Sequence, residues 1–301
     1  MTPAEFEEAA YEAPLYNQLE RGLANVYTPG RVLESRLGFD RGIYIAEQAV
    51  WDTLGYSAPP PGIALGYFDW PLHRGPAMHR LPRFRLNIFL QAKRSRYYVR
   101  RPRALGLYRD FSAPLWAFAI TKHQQQLLEY LDARAGGRAH VAYAAPAFHT
   151  YADLYRHTRL RTIVQHSTFP SVRALKGHES WYYRVPGAEG VGNPDPERIQ
   201  ETSFIERISS LAADAPTVEG GNLAGLHKIA EDVLGAVRDI GDLADPGAAK
   251  YLDDLQTLDR LIEPYALRPT VRAYAQVRLF TLHFRLTWLI HDAAAEYDAH
   301  R

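Results

Sequence analysis

The chain has 301 residues, 47% of them hydrophobic and 23% charged, with 35 Lys and Arg against 34 Asp and Glu. This balance excludes a disordered chain, and no apolar run approaches the roughly 20 residues of a membrane span, so a soluble globular protein with one large or two medium cores is predicted. The lack of cysteine excludes disulfides, thiolate nucleophiles and cysteine-held zinc or iron–sulfur, leaving oxygen or imidazole to hold any metal.

Residues 4–24 read as an amphipathic helix closed by the turn "TPGR". This acidic start has neither the basic leader nor the short greasy core of a signal peptide, which predicts a cytoplasmic location. A strand or hairpin over about Val32–Ile45, a short helix "EQAVWDTLG" and a loop "SAPPPG" follow. "GIALGYFDW" and "RLNIFLQAK" read as strands, then "APLWAFAI" as a strand and "TKHQQQLLEYLDARAGG" as a helix stopped by glycine. Next come a buried strand "AHVAYAAPAF", a helix near 150–158, and strands "RTIVQHSTF" and "HESWYYRV". The Gly/Pro/Asp-rich "PGAEGVGNPDPE" predicts a boundary between an α/β domain, residues 1–190, and a helical module, residues 200–301. The stretches beyond it place apolar residues three and four apart, punctuated by Pro246, Pro264 and Pro269, and are expected to be all helix.

The net charge of +1 conceals a local excess. Residues 80–109 carry ten Lys and Arg and no Asp or Glu, whereas residues 201–260 carry 5 against 12. Arg94, Arg96, Arg100, Arg101 and Arg103, with Tyr97 between them, suit a nucleic acid, arginines meeting phosphates and aromatics stacking on bases. A solvated arginine-rich loop is the plain alternative.

Just upstream, strand alternation puts Asn87, Phe89, Gln91 and Lys93 on one face and Leu86, Ile88, Leu90 and Ala92 on the other. Gln91 and Lys93 therefore need polar partners beside a core. Glu34 and Asp40 flank a glycine turn earlier in the chain. A carboxylate, an amide oxygen and a lysine on adjacent strands are the groups that Mg²⁺-assisted phosphodiester hydrolysis uses.

These residues resemble the PD-(D/E)XK, restriction-endonuclease-like, nuclease superfamily in its Q-x-K variant, with the nearest likeness to Mrr-like enzymes. The resemblance covers roughly residues 4–148. It implies a mixed sheet core flanked by helices, here followed by an all-α C-terminal module, and cleavage of DNA with Mg²⁺. Carried onto this chain, it makes Asp40 the metal-binding aspartate, Gln91 the second ligand, Lys93 the catalytic lysine, and Glu34 or Glu20 the glutamate supplied by the first helix or its neighbour. Fifty residues separate Asp40 from Gln91, longer than the family's hairpin, so an insertion is required; if "GIALGYFDW" is the partner strand, Asp69 replaces Asp40. Gln126 and Tyr130 share a helix face in a Q-x-x-x-Y pattern that some members use to contact DNA, against an alternative in which Leu127, Leu128 and Leu131 are buried, Gln126 is solvated, and His123 or Gln124 faces the site.

Among the twelve histidines, His149, His157, His166 and His178 lack any H-x-x-x-H or H-E-x-x-H spacing and read as surface or capped core residues; no phosphate loop or serine elbow is present. The expectation is a DNA endonuclease, which the resemblance connects with bacterial anti-phage defence. The aromatic-lined stretch from Tyr274 to Trp288 suggests contact with a second copy or a protein partner through the C-terminal helices. The rivals are an inactive nuclease-like subunit that binds nucleic acid or protein, and a helical scaffold with an incidental basic loop.

Overall fold

The structure, a computed structural model, describes residues 1–19, 84, 86–106, 108–184, 187, 189–216, 222–240, 246–262 and 269–291. Glu34, Asp40, Asp69 and Glu20, with the expected strands and helix around them, lie outside the described residues.

The described chain is mixed α/β with two sheets. The six-stranded sheet is antiparallel, in the order β1 (Thr2–Pro3), β3 (Arg96–Tyr98), β4 (Leu115–Ala119), β7 (Ser180–Tyr183), β8 (Glu189–Asn193), β9 (Glu197–Gln200). The four-stranded sheet runs β10 (Thr287–His291), β2 (Leu86–Ala92), β5 (Ala139–Pro146), β6 (Ser167–Thr168). In it β2 and β5 are parallel, connected through β3, β4 and α2 (Lys122–Ala135), while β10 lies antiparallel to β2.

The alternation expected for β2 is seen in its packing. Phe89 faces one apolar cluster together with Val141 and Tyr143 of β5, Leu127 and Leu131 of α2, and residues of helices α5 (Asn222–Ile240), α6 (Pro246–Ile262) and α7 (Pro269–Phe284). Leu86, Ile88, Leu90 and Ala92 face a second cluster with α1 (Glu8–Leu19), α3 (Tyr151–Leu160) and α4 (Phe204–Asp214). All seven residues of β2 are buried, as expected for a parallel-paired strand covered on both faces. Asn87 is tolerated there because its amide donates to the carbonyls of Phe84 and Arg138 and its oxygen accepts from the Trp288 indole at 2.9 Å.

Three expectations are corrected. The segment "TWLIH" is a strand and not the end of a helix. Arg285, at φ 52, stops α7, and Thr287–His291 pairs with β2, Trp288 and Ile290 joining one cluster and Leu289 the other. The C-terminal part is thus not all helix, and one apolar cluster joins residues on both sides of the expected boundary, from Phe84 to Ile290. The glycines of "PGAEGVGNPDPE" do not mark a linker: β8 and β9 pair with each other and with β7, and a Cβ on Gly190 would lie 2.2 Å from Trp181 Cζ2. Finally, "RTIVQHSTF" is mostly a turn, with only Ser167–Thr168 in a strand. There the Ser167 hydroxyl donates to the carbonyl of Ile163, and the chain curls before it can extend.

The aromatics expected on an exposed terminal helix are inward: Phe280, Phe284 and Trp288 are buried and Tyr274 packs against them. Among the described residues no helix is long and apolar enough to cross a membrane.

His140 of β5 is 4% exposed, its Nε2 has no partner, and burial with the charges of Arg207 and Arg173 holds its pKa down at about 3. In the unfolded chain it titrates near 6.5, so unfolding takes up a proton between these values. Its contribution is therefore fully present above about pH 6.5 and is lost as pH falls towards 3, at up to about 1.4 kcal/mol per pH unit. Burial shifts His157 in the same direction. Urea unfolding over this range is expected to show a His140→Leu variant losing less stability on acidification than the parent; equal slopes would contradict the assignment.

Candidate active site at the carboxyl ends of β2 and β5

In open α/β sheets, ligands favour the carboxyl ends of parallel strands. In this chain that end is marked by Lys93, whose backbone N–H extends the ladder by donating to the carbonyl of Ala144 at 2.9 Å. Its side chain is partly buried, with Nζ 5.4 Å from the centre of the Tyr143 ring and donating to Gln124 Oε1 at 3.2 Å. Burial lowers the Lys93 pKa, and the charge of Glu8 opposes this. Lys93 thus holds its proton less firmly than a surface lysine.

The surroundings of Lys93 are held rigidly. The Tyr143 hydroxyl donates to Gln125 Oε1 at 2.7 Å, and Gln125 Nε2 donates to the carbonyl of Val172 and to Glu129, each at 2.8 Å. Gln124 Nε2 donates to the carbonyl of Phe284 at 3.1 Å, tying Lys93 to the end of α7. Gln91, which pairs with Tyr143 across the ladder, is 4% exposed, and its Oε1 has no hydrogen-bond partner among the described residues. A buried carbonyl oxygen left unpaired costs about 1–3 kcal/mol, a cost that a bound water or a ligand would remove.

Glu8 comes from the first turn of α1 and accepts the Arg94 backbone N–H at 3.1 Å. Sequence reasoning missed it, because nothing in "EFEE" shows that this turn meets residues 85 positions later. Gln124 was foreseen only as an alternative. Gln126, two positions on, is exposed on another face of α2, while Tyr130 packs against the core, so this pair does not reach Lys93. Among the described residues, no group of three or more His, Asp or Glu is placed to hold a metal.

The basic loop divides into two sets. Arg94 is committed internally, bonding Glu7 at 2.7 Å and the carbonyl of Ala4 at 3.0 Å. Arg101 likewise braces the carbonyls of Gly106 and Tyr108. Arg96, Arg100 and Arg103 are exposed. Tyr97 is half-buried and stacks on His149, with ring centres 4.0 Å apart. The structure therefore places Gln91 and Lys93 each beside Tyr143, leaves Arg96, Arg100 and Arg103 exposed, and ties Arg94 and Arg101 into the fold.

Comparison with protein families, with curated proteins and with solved structures returns no match to this chain.

Proposed function

We propose that this protein is a Mg²⁺-dependent DNA endonuclease of the restriction-endonuclease-like kind, hydrolysing phosphodiester bonds at Lys93. The observation that carries the reading is a partly buried lysine with a weakened hold on its proton, at the carboxyl end of a central strand that also bears the unpartnered oxygen of Gln91. Mg²⁺ takes oxygen ligands, and the Gln91 Oε1 fits that demand, with Glu8 an acidic group whose charge acts on Lys93. Asp40 or Asp69, with Glu34, would complete the set. The ion, when bound, would neutralise charge on the phosphate.

The protein's own part is positional and electrostatic. Lys93 hydrogen-bonds the attacking water or a phosphate oxygen, Gln124 and the Tyr143 ring hold it in place, and Arg96, Arg100 and Arg103 grip the flanking phosphates. Plasmid nicking with Mg²⁺, compared with EDTA, tests the reading. A second reading, a nuclease-like subunit that binds without cleaving, is favoured by the lack of a metal-holding cluster among the described residues, and predicts DNA binding with no cleavage at any Mg²⁺ concentration.

The arginine assignments make a separate prediction. Arg100→Ala or Arg103→Ala is expected to reduce the salt dependence of DNA binding by about one phosphate each without altering stability. Arg94→Ala should cost about 1–2 kcal/mol in urea unfolding, because it frees the Ala4 carbonyl and Glu7. Equal effects on binding and stability at all three positions would contradict the division.

A further inference from the structure

The loop that leads from β5 into α3 is tied to the strand end that carries Lys93. Ser95 Oγ donates to the carbonyl of Phe148, the Glu5 N–H donates to the carbonyl of His149 at 2.8 Å, and Tyr97 stacks on His149. From there a run of rings climbs out of the core. Buried Phe6 meets Tyr151 edge-on at 6.0 Å, and Tyr151 stacks with Tyr155, again at 6.0 Å and 25° between planes. Tyr151 is 42% and Tyr155 67% exposed, among the most exposed large side chains described. Tyr151, Tyr155 and Arg159 follow one another at single-turn spacing on one face of α3, and Arg159 and Arg161 are exposed.

An outward face built only for solvent would not present two stacked aromatic rings. Its charge identifies the occupant. Its acidic neighbours are already engaged: Asp153 by Arg156 at 3.0 Å and by Thr150 at the helix start, and Glu5 by the Tyr151 N–H at 2.8 Å. What is left is cationic and aromatic, which suits bases stacking on rings and phosphates meeting guanidinium groups, and not a basic or wholly apolar protein surface.

We infer that the exposed face of α3, from Tyr151 through Tyr155 to Arg159, is a track for single-stranded nucleic acid beside the strand end that carries Lys93. The inference rests on reading the Lys93 site as a nuclease and narrows its substrate to a strand that is unpaired beside the cleavage point. A base stacked on Tyr155 continues the Phe6–Tyr151–Tyr155 column, and the following phosphate reaches Arg159 one turn along.

The test uses the full chain carrying Lys93→Ala, in EDTA, with a fluorescein-labelled oligo-dT of about 20 nucleotides read by anisotropy. Tyr155→Ala is expected to weaken binding roughly tenfold and Tyr155→Phe to leave it unchanged. Circular dichroism checks that the helix is intact. The inference is overturned if the parent fails to bind oligo-dT, if Tyr155→Ala binds as tightly as the parent, or if that change abolishes self-association in sedimentation while sparing oligo-dT binding. Cleavage by the wild-type chain is scored separately: binding through Tyr155 without Mg²⁺-dependent cleavage keeps the track and removes the nuclease, and cleavage with Tyr155 indifferent does the reverse.

Discussion

Lys93→Met is expected to lower the proposed Mg²⁺-dependent DNA cleavage by about a thousandfold or more, while thermal stability stays unchanged or rises slightly. The two halves of this expectation have one cause. Burial penalises the charged form of Lys93, and among the described residues its neighbours offset that penalty with one hydrogen bond to Gln124, the Tyr143 ring and the charge of Glu8. Methionine keeps the stem and removes the cost. A residue kept at a cost to the fold is kept for chemistry. Lys93→Arg is not expected to rescue activity, because a guanidinium does not release its proton near neutrality and its planar fork does not fit the space of an ammonium. The pH–rate profile of the proposed cleavage by the wild-type chain should carry a limb with its midpoint below the ordinary lysine value, as the lowered pKa requires. Cleavage by Lys93→Met at the wild-type rate ends the hydrolytic reading.

Gln91→Leu is the second large effect, and there too stability and activity are expected to part. Leucine replaces the amide by an apolar group of similar size and removes a buried oxygen that has no partner, so unfolding free energy is expected to hold or rise by about 1 kcal/mol. Cleavage is expected to fall by about a hundredfold, and its dependence on Mg²⁺ concentration to shift upwards. Gln91→Glu, which restores an oxygen and adds charge, is expected to retain Mg²⁺-dependent activity. Urea unfolding combined with a Mg²⁺ titration of nicking checks both variants. A Gln91→Leu protein that is destabilised yet fully active would make Gln91 a structural residue with a missed partner, and would remove the metal argument.

How much of this was legible beforehand depends on the distance over which each feature is decided. The strand 86–92 was readable because alternation is local, and Phe89 and Leu90 do fall in opposite clusters. The helix 122–135 was readable from its leucine spacing and from Gly136, which takes the left-handed conformation at its end. The side chains meeting Lys93 were less so. Gln124, Gln125 and Gln126 are chemically identical, and helical phase against a packed sheet decides that the first meets Lys93, the second is buried beneath Tyr143 and the third is exposed. Glu8 and Arg94 are likewise ordinary charged residues until α1 and β2 are packed together.

By itself, the sequence determined the α/β character, the buried strand with two polar groups on one face, and the concentration of arginine after it, because each follows from periodicity or composition within a few residues. Only the tertiary structure decided that "TWLIH" is a strand, since an apolar run destined for burial on both faces has the same appearance in a helix and in a strand until a neighbour, here β2, supplies the hydrogen bonds. It alone decided which arginines are free, because Arg94 is taken up by carbonyl and carboxylate groups about 90 residues away, a pairing that no local pattern records.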